Sequence, residues 1–99
     1  MYIILLTYRV PLTTVDKYLD LHVEYLKEQY KFGNFIASGR RVPRTGGVIF
    51  SNIGDVENLK TIIEKDPFKH NKVADYEIIE FVPSMTSEDL AFLIPKSSM

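Results

Sequence analysis

Apolar positions along this chain switch between two periods, and the switches mark out its elements. Residues 2–9, YIILLTYR, form a β-branched and aromatic run that predicts a strand. Val10-Pro11-Leu12 breaks it, and Thr13 or Thr14 is placed to cap a helix. From Val15 to Tyr30, steps of 100° around an axis bring Val15, Tyr18, Leu19, Val23, Tyr25, Leu26 and Tyr30 onto one broad face. Asp16, Lys17, Asp20, Glu24, Lys27 and Glu28 take the other, and Gly33 supplies the stop. Residues 34–39 (NFIASG) and 47–52 (GVIFSN) predict strands joined by the loop R-R-V-P-R-T-G. Asp55 is a natural N-cap for a second helix with Val56, Leu59, Ile62 and Ile63 as its apolar stripe. Pro67 disfavours helical backbone at Asp66 and is expected to end that helix. Residues 74–82 (ADYEIIEFV) predict the last strand.

The order is β-α-β-β-α-β, which makes the expected fold class α+β: a ferredoxin-like antiparallel sheet of four strands with both helices on one face. The domain is expected over residues 1–83. Residues 84–99 form a C-terminal tail, in which T-S-E-D-L suggests one short helical turn before a loose polar end. In the first strand, Tyr2, Ile4, Leu6 and Tyr8 point one way while Ile3, Leu5 and Thr7 point the other. Neither set reads as a solvated face. Helices can cover one; the other calls for a second copy of the chain, so a homodimer through the open sheet face is expected.

Composition narrows the function classes. The chain has 99 residues, enough for one domain, and is 45 % hydrophobic and 25 % charged, as ordinary globular proteins are. A formal net charge of −1 argues against nucleic acid or an anionic membrane as partner. No cysteine is present, which removes disulfides, thiolate metal sites and a cysteine nucleophile. The apolar start lacks a basic flank and stops at Thr7-Tyr8-Arg9, too short for a signal sequence or a span, so a soluble cytoplasmic protein is expected.

Two polar residues break the apolar stripes. His22 lies near the centre of the first helix's apolar arc, between Tyr18, Leu19 and Leu26. Projected on the second helix, Asp66 falls beside Leu59, Ile62 and Ile63. Both are aimed at the same side of one sheet, which is costly unless they are paired or hydrogen-bonded. As a pair, they would form an acid/base group working near neutral pH. The alternative is a core histidine satisfied by a carbonyl, with Asp66 capping an Asp-Pro turn.

The segments H-V-E-Y-L (22–26), F-G-N-F-I-A-S-G (32–39), G-G-V-I-F (46–50), D-P-F (66–68) and Y-E-I-I-E-F (76–81) resemble the YciI-like (YCII-related) family. That resemblance implies a dimeric α+β barrel, two ferredoxin-like sheets packed face to face, as in muconolactone isomerase-like proteins. It also implies an active site built on a His–Asp pair, here His22 and Asp66, with Ser38, Gly39, Gly46, Gly47, Pro67 and Phe68 matching the surrounding pattern. Two positions depart from it. Many relatives have an arginine where this chain has Leu19, and many read Ser/Ala-Gly-Pro where this chain reads Ser38-Gly39-Arg40.

Arg40, Arg41 and Arg44 form the basic cluster, able to hold a carboxylate or phosphate, or simply to be solvated in a hairpin loop. Gly46-Gly47 serves the turn into a strand, and no helix follows to make a phosphate site. Arg9 could reach the pocket from the end of the first strand. His70 is expected exposed in a turn, and pairing it with His22 as a metal site lacks ligand spacing. Tyr8, Tyr18 and Tyr25 are expected in the core or an interface, and Ser38 has no adjacent base to make it a nucleophile.

The leading expectation is a small enzyme that uses no cofactor or metal. In it His22 and Asp66 move a proton on a small organic acid or ring compound, as a lyase, isomerase or hydrolase, and Arg9, Ser38, Gly39, Arg40 and Phe68 bind the substrate. The second is a non-catalytic dimeric ligand sensor. RNA recognition shares the element order, but the candidate strand offers only Phe50 for stacking and the net charge has the wrong sign.

Overall fold

The run of apolar residues at the N-terminus becomes an inner strand, because only a strand paired on both sides can bury so many of them. In the computed structural model, which describes residues 1–95, β1 (Tyr2–Tyr8) pairs antiparallel with both β3 (Gly46–Ser51) and β4 (Ala74–Glu80). β2 (Phe35–Arg40) pairs with β3, so the sheet runs β2-β3-β1-β4. Helices α1 (Leu12–Lys31) and α2 (Val56–Ile63) lie over the face carrying Tyr2, Ile4 and Leu6. Those three side chains are buried, whereas Ile3 and Leu5 on the opposite face are half-buried and Thr7 is exposed. The expected ferredoxin-like architecture is therefore present, with Leu59, Ile62 and Ile63 of α2 and Val15 and Tyr25 of α1 in the core as the helical periodicity required.

Three local readings are corrected. α1 starts at Leu12, ahead of both threonines, and no side chain caps it. The Pro11 carbonyl accepts from Thr14 N–H (2.9 Å) and Val15 N–H (3.1 Å), so the residue that breaks the strand also opens the helix. Pro67 likewise begins a helix. α2 stops at Ile63, and a four-residue helix α3 (Pro67–His70) follows with Asp66 as its N-cap and the fixed proline φ preset at its first position. Asp66 thus points inward as a cap, not as a residue of α2. Finally, β4 ends at Glu80, short of the expected boundary.

β2 departs from simple alternation. Phe35 pairs with Ser51 but Ala37 pairs with Phe50, a bulge that absorbs Ile36. Beyond it, Ser38 stands opposite Ile49 and Arg40 opposite Gly47, on the helix-covered face. Without the extra residue, Ala37 and Gly39 would face the helices.

At the hairpin end, a Cβ on Gly46 would lie 1.7 Å from the Leu6 carbonyl oxygen, an impossible approach that only glycine permits. Past β4, a 3-10 helix (Glu88–Leu93) follows and buries Leu93, while the polar end at 96–99 lies outside the described residues. Among the described residues, no helix is long and apolar enough to cross a membrane.

Candidate active site

The D-P-F triplet organises the site around one carboxylate. Asp66 sits in extended backbone, and its Oδ1 accepts from Phe68 N–H at 3.0 Å, which starts α3. The same oxygen lies 2.7 Å from His22 Nδ1 on the buried face of α1. Oδ2 accepts from the Tyr76 hydroxyl at 2.5 Å, delivered by β4. Asp66 therefore both caps the Asp-Pro turn and meets the histidine, two contacts that the sequence had set against each other. The carboxylate is 0 % exposed, and these three donors replace the water it has lost.

A carboxylate can only accept, so His22 Nδ1 carries the hydrogen in this contact. In the neutral ring that leaves Nε2 as an unprotonated acceptor. The ring is also held from the side. Phe68 stacks on it with centroids 4.0 Å apart and planes within 4°, and Tyr8 meets Phe68 edge-on at 5.9 Å. One four-residue helix thus aligns the imidazole twice, through its cap and through its first aromatic side chain.

Two tyrosines close off the far side. Burial is the main cause that pushes the Tyr76 phenol far above its usual range, reinforced by the charge of Asp66 and the hydrogen bond to it. Tyr25, which donates to the Ile62 carbonyl at 2.8 Å, is raised by burial first and by Asp66 second. Both stay protonated, so Tyr76 remains a donor to Asp66 throughout the neutral range.

His22 forms part of the wall of a cavity of about 180 Å³ between α1 and the sheet. Leu19, Val23 and Leu26 of α1 supply the apolar wall, and Leu6, Gly47 and Ile49 the floor. Phe68 and Tyr8 stand on the β1 side, and Ser38, Gly39 and Arg40 on the edge strand β2. Gly47 stands between Leu6 and Arg40 on the covered face of the sheet, so its missing side chain leaves the floor open.

Of the residues singled out from sequence, His22, Ser38, Gly39, Arg40 and Phe68 line this cavity, and Asp66 stands behind His22. Arg9 does not join them. Its guanidinium pairs with Asp75 at 2.9 Å, on the sheet face turned away from the helices. Ser38 shares a 2.6 Å hydrogen bond with the Tyr30 hydroxyl. Arg41 reaches Thr7 and Arg44 pairs with Asp16 at the start of α1. His70 is exposed in α3. No group of three or more histidine, aspartate or glutamate side chains among the described residues is arranged to hold a metal.

Sequence reasoning passed over Tyr76. The usable signal was its alternation with Ala74 and Ile78, which puts a phenol under the helices where its hydroxyl must find a partner.

Comparison with known proteins gives the following. The family model of the YCII-related domain matches residues 1–82. No curated protein matches the chain significantly. Among solved structures, the chain is similar to a 5-chloro-2-hydroxyhydroquinone dehydrochlorinase (TftG) from Burkholderia phenoliruptrix AC1100, in complex with 2,5-dihydroxybenzoquinone. The TM-score is 0.68 at 14 % identity, over 82 % of this chain and 93 % of that one, a likeness of fold.

Proposed function

This chain belongs to the YCII-related family, and from that premise we propose that it is a small-molecule enzyme in which His22 and Asp66 transfer a proton. The observation that carries the reading is the 2.7 Å contact between His22 Nδ1 and a fully buried Asp66, at the wall of an apolar cavity. Asp66 fixes the ring tautomer, so Nε2 takes a proton from the substrate and returns it elsewhere on the product or leaving group, as in a lyase, isomerase or hydrolase. The resulting imidazolium is balanced by the Asp66 carboxylate. Phe68 keeps the ring from turning, and Ser38, Gly39 and Arg40 contact the substrate from β2.

Support for a ring substrate comes from the structural neighbour, whose name is that of a dehydrochlorinase of a hydroxyhydroquinone. Removing hydrogen chloride from such a ring requires a base to take the proton as chloride departs, which is chemistry a His–Asp pair can perform. We further place two copies of the chain face to face through the side of the sheet turned away from α1 and α2, where Ile3, Leu5, Val48 and Ile79 lie.

The test is turnover of 5-chloro-2-hydroxyhydroquinone and of a panel of small lactones and enols by the wild type, His22→Asn and Asp66→Asn. Turnover that drops about 10²-fold or more in both folded variants supports the reading. A wild type that binds ring compounds and turns over none of them would make the pocket that of a sensor.

A further inference from the structure

The ligand class of this cavity can be read from its one uncommitted charge. Among the described residues, Arg9 pairs with Asp75, Arg44 with Asp16, and Arg41 donates to the Thr7 hydroxyl. Arg40 makes no ion pair and no side-chain hydrogen bond, and it is the arginine that lines the cavity. It is there because the β2 bulge at Ile36 shifts the alternation and turns Arg40 to the covered face. Its cross-strand neighbour there is Gly47, which has no side chain to screen or engage the guanidinium.

Size sets the second limit. The cavity is about 180 Å³, close to an apolar cavity of roughly 150 Å³ that accommodates one benzene ring. Leu19, Val23, Leu26 and Leu6 give this space apolar surfaces suited to a ring. Arg40, exposed on β2 at the rim of this space, carries a planar guanidinium whose paired donors match the two oxygens of a carboxylate or of neighbouring ionised ring oxygens.

Resting on the reading above that this cavity is the substrate site, we infer that its substrate is a single-ring organic anion, held through its charged oxygens by Arg40. The ring lies over Gly47 between α1 and the sheet, and the end away from the anion is presented to His22. A charged group at Arg40 and a proton exchanged at His22 are thus on different parts of one small ring. Arg40 also marks this chain's own specificity, since Leu19 leaves the α1 wall without a cation.

Benzoate, benzamide and 2-naphthoate, which share shape or charge in turn, are the probes. Each is titrated into the ¹⁵N-labelled wild type, Arg40→Gln and Arg40→Lys, following the Gly39 and Gly47 amides, whose dispersion also reports that each variant is folded. Benzoate is expected to saturate these shifts, with benzamide roughly tenfold weaker and naphthoate without effect. Arg40→Gln should weaken benzoate by a similar factor and leave benzamide unchanged, with Arg40→Lys between. The inference is overturned if benzoate and benzamide bind wild type equally, if Arg40→Gln holds benzoate as tightly, if naphthoate binds as benzoate does, or if no cavity amide moves.

His22→Asn separates this from the acid/base reading. That variant should lose turnover yet keep the preference for benzoate over benzamide, because the charge is read by Arg40. Benzoate held through Arg40 in a protein with no turnover would end the enzyme reading alone. Turnover dependent on His22 without charge discrimination would end this inference alone.

Discussion

Asp66 satisfies three donors, from the Phe68 backbone, His22 and Tyr76, and its removal would orphan all of them in the interior. Asp66→Ala should therefore cost about 3 kcal/mol in urea unfolding, near the upper end for lost hydrogen-bonding groups. Tyr76→Phe removes one donor and leaves the others, and about 1 kcal/mol is expected. The tyrosines also set an alkaline limit. Tyr25 and Tyr76 have folded-state pKa values raised above the ordinary 10.0, so an unfolded chain loses their protons first. Their contribution is complete below pH 10 and is lost progressively as pH rises toward the folded values. Urea midpoints for the wild type should fall as pH climbs above about 10, and Tyr76→Phe should fall less steeply. Equal slopes would mean that burial of Tyr76 has no bearing on its ionisation.

At the scale of elements, punctuation residues decide where the site residues point. Pro11 and Pro67 read locally as interruptions, yet each stands at a helix start, because a helix's first turn has no use for the proline N–H. For Pro67 this changes the account of Asp66 from a helix-face residue to a cap, although its inward direction was anticipated by the wrong projection. The β2 bulge has a comparable effect on Ser38 and Arg40. No composition cue marks Ile36 as the extra residue, so a strict period-2 reading would have turned both side chains outward. The glycine pair has two separate jobs. Gly46→Ala would drive a methyl into the Leu6 carbonyl and should cost about 3 kcal/mol or prevent folding, whereas at Gly47 the nearest atom to an added Cβ is 3.1 Å away, so Gly47→Ala should stay folded. Thermal melts of the two variants measure this; similar melting temperatures would sink the distinction.

For the whole molecule, the sheet face turned away from α1 and α2 is the outstanding surface. Leu5 lies on the central strand of that face, between Val48 and Glu77 on the neighbouring strands. Paired copies should give a sedimenting mass of two chains at micromolar concentration, and Leu5→Lys should shift it to one chain while the circular dichroism holds. A wild type that stays monomeric at every concentration would remove the proposed assembly. The expected element order was legible because six regular segments carry clean periodicity, and the helix face and core followed from it. The site was legible in part, since His22 and Asp66 announce themselves as polar breaks in apolar stripes. Arg9 was expected at the pocket, although alternation sends it with Ile3, Leu5 and Thr7 to the opposite face, where it meets Asp75.

The sequence by itself determined the ferredoxin-like fold, since alternation, helical stripes and one apolar central strand are properties of neighbouring residues and persist wherever the chain packs. It also determined that two buried titratable groups needed partners. Only tertiary structure decided who those partners are. The meeting of His22 with Asp66, the phenol of Tyr76 beneath them and the place of Arg40 at the rim of the cavity all join residues from different elements. Such contacts depend on bulges, caps and strand order that shift a side chain by one face, and a one-residue shift leaves almost no trace in a local pattern.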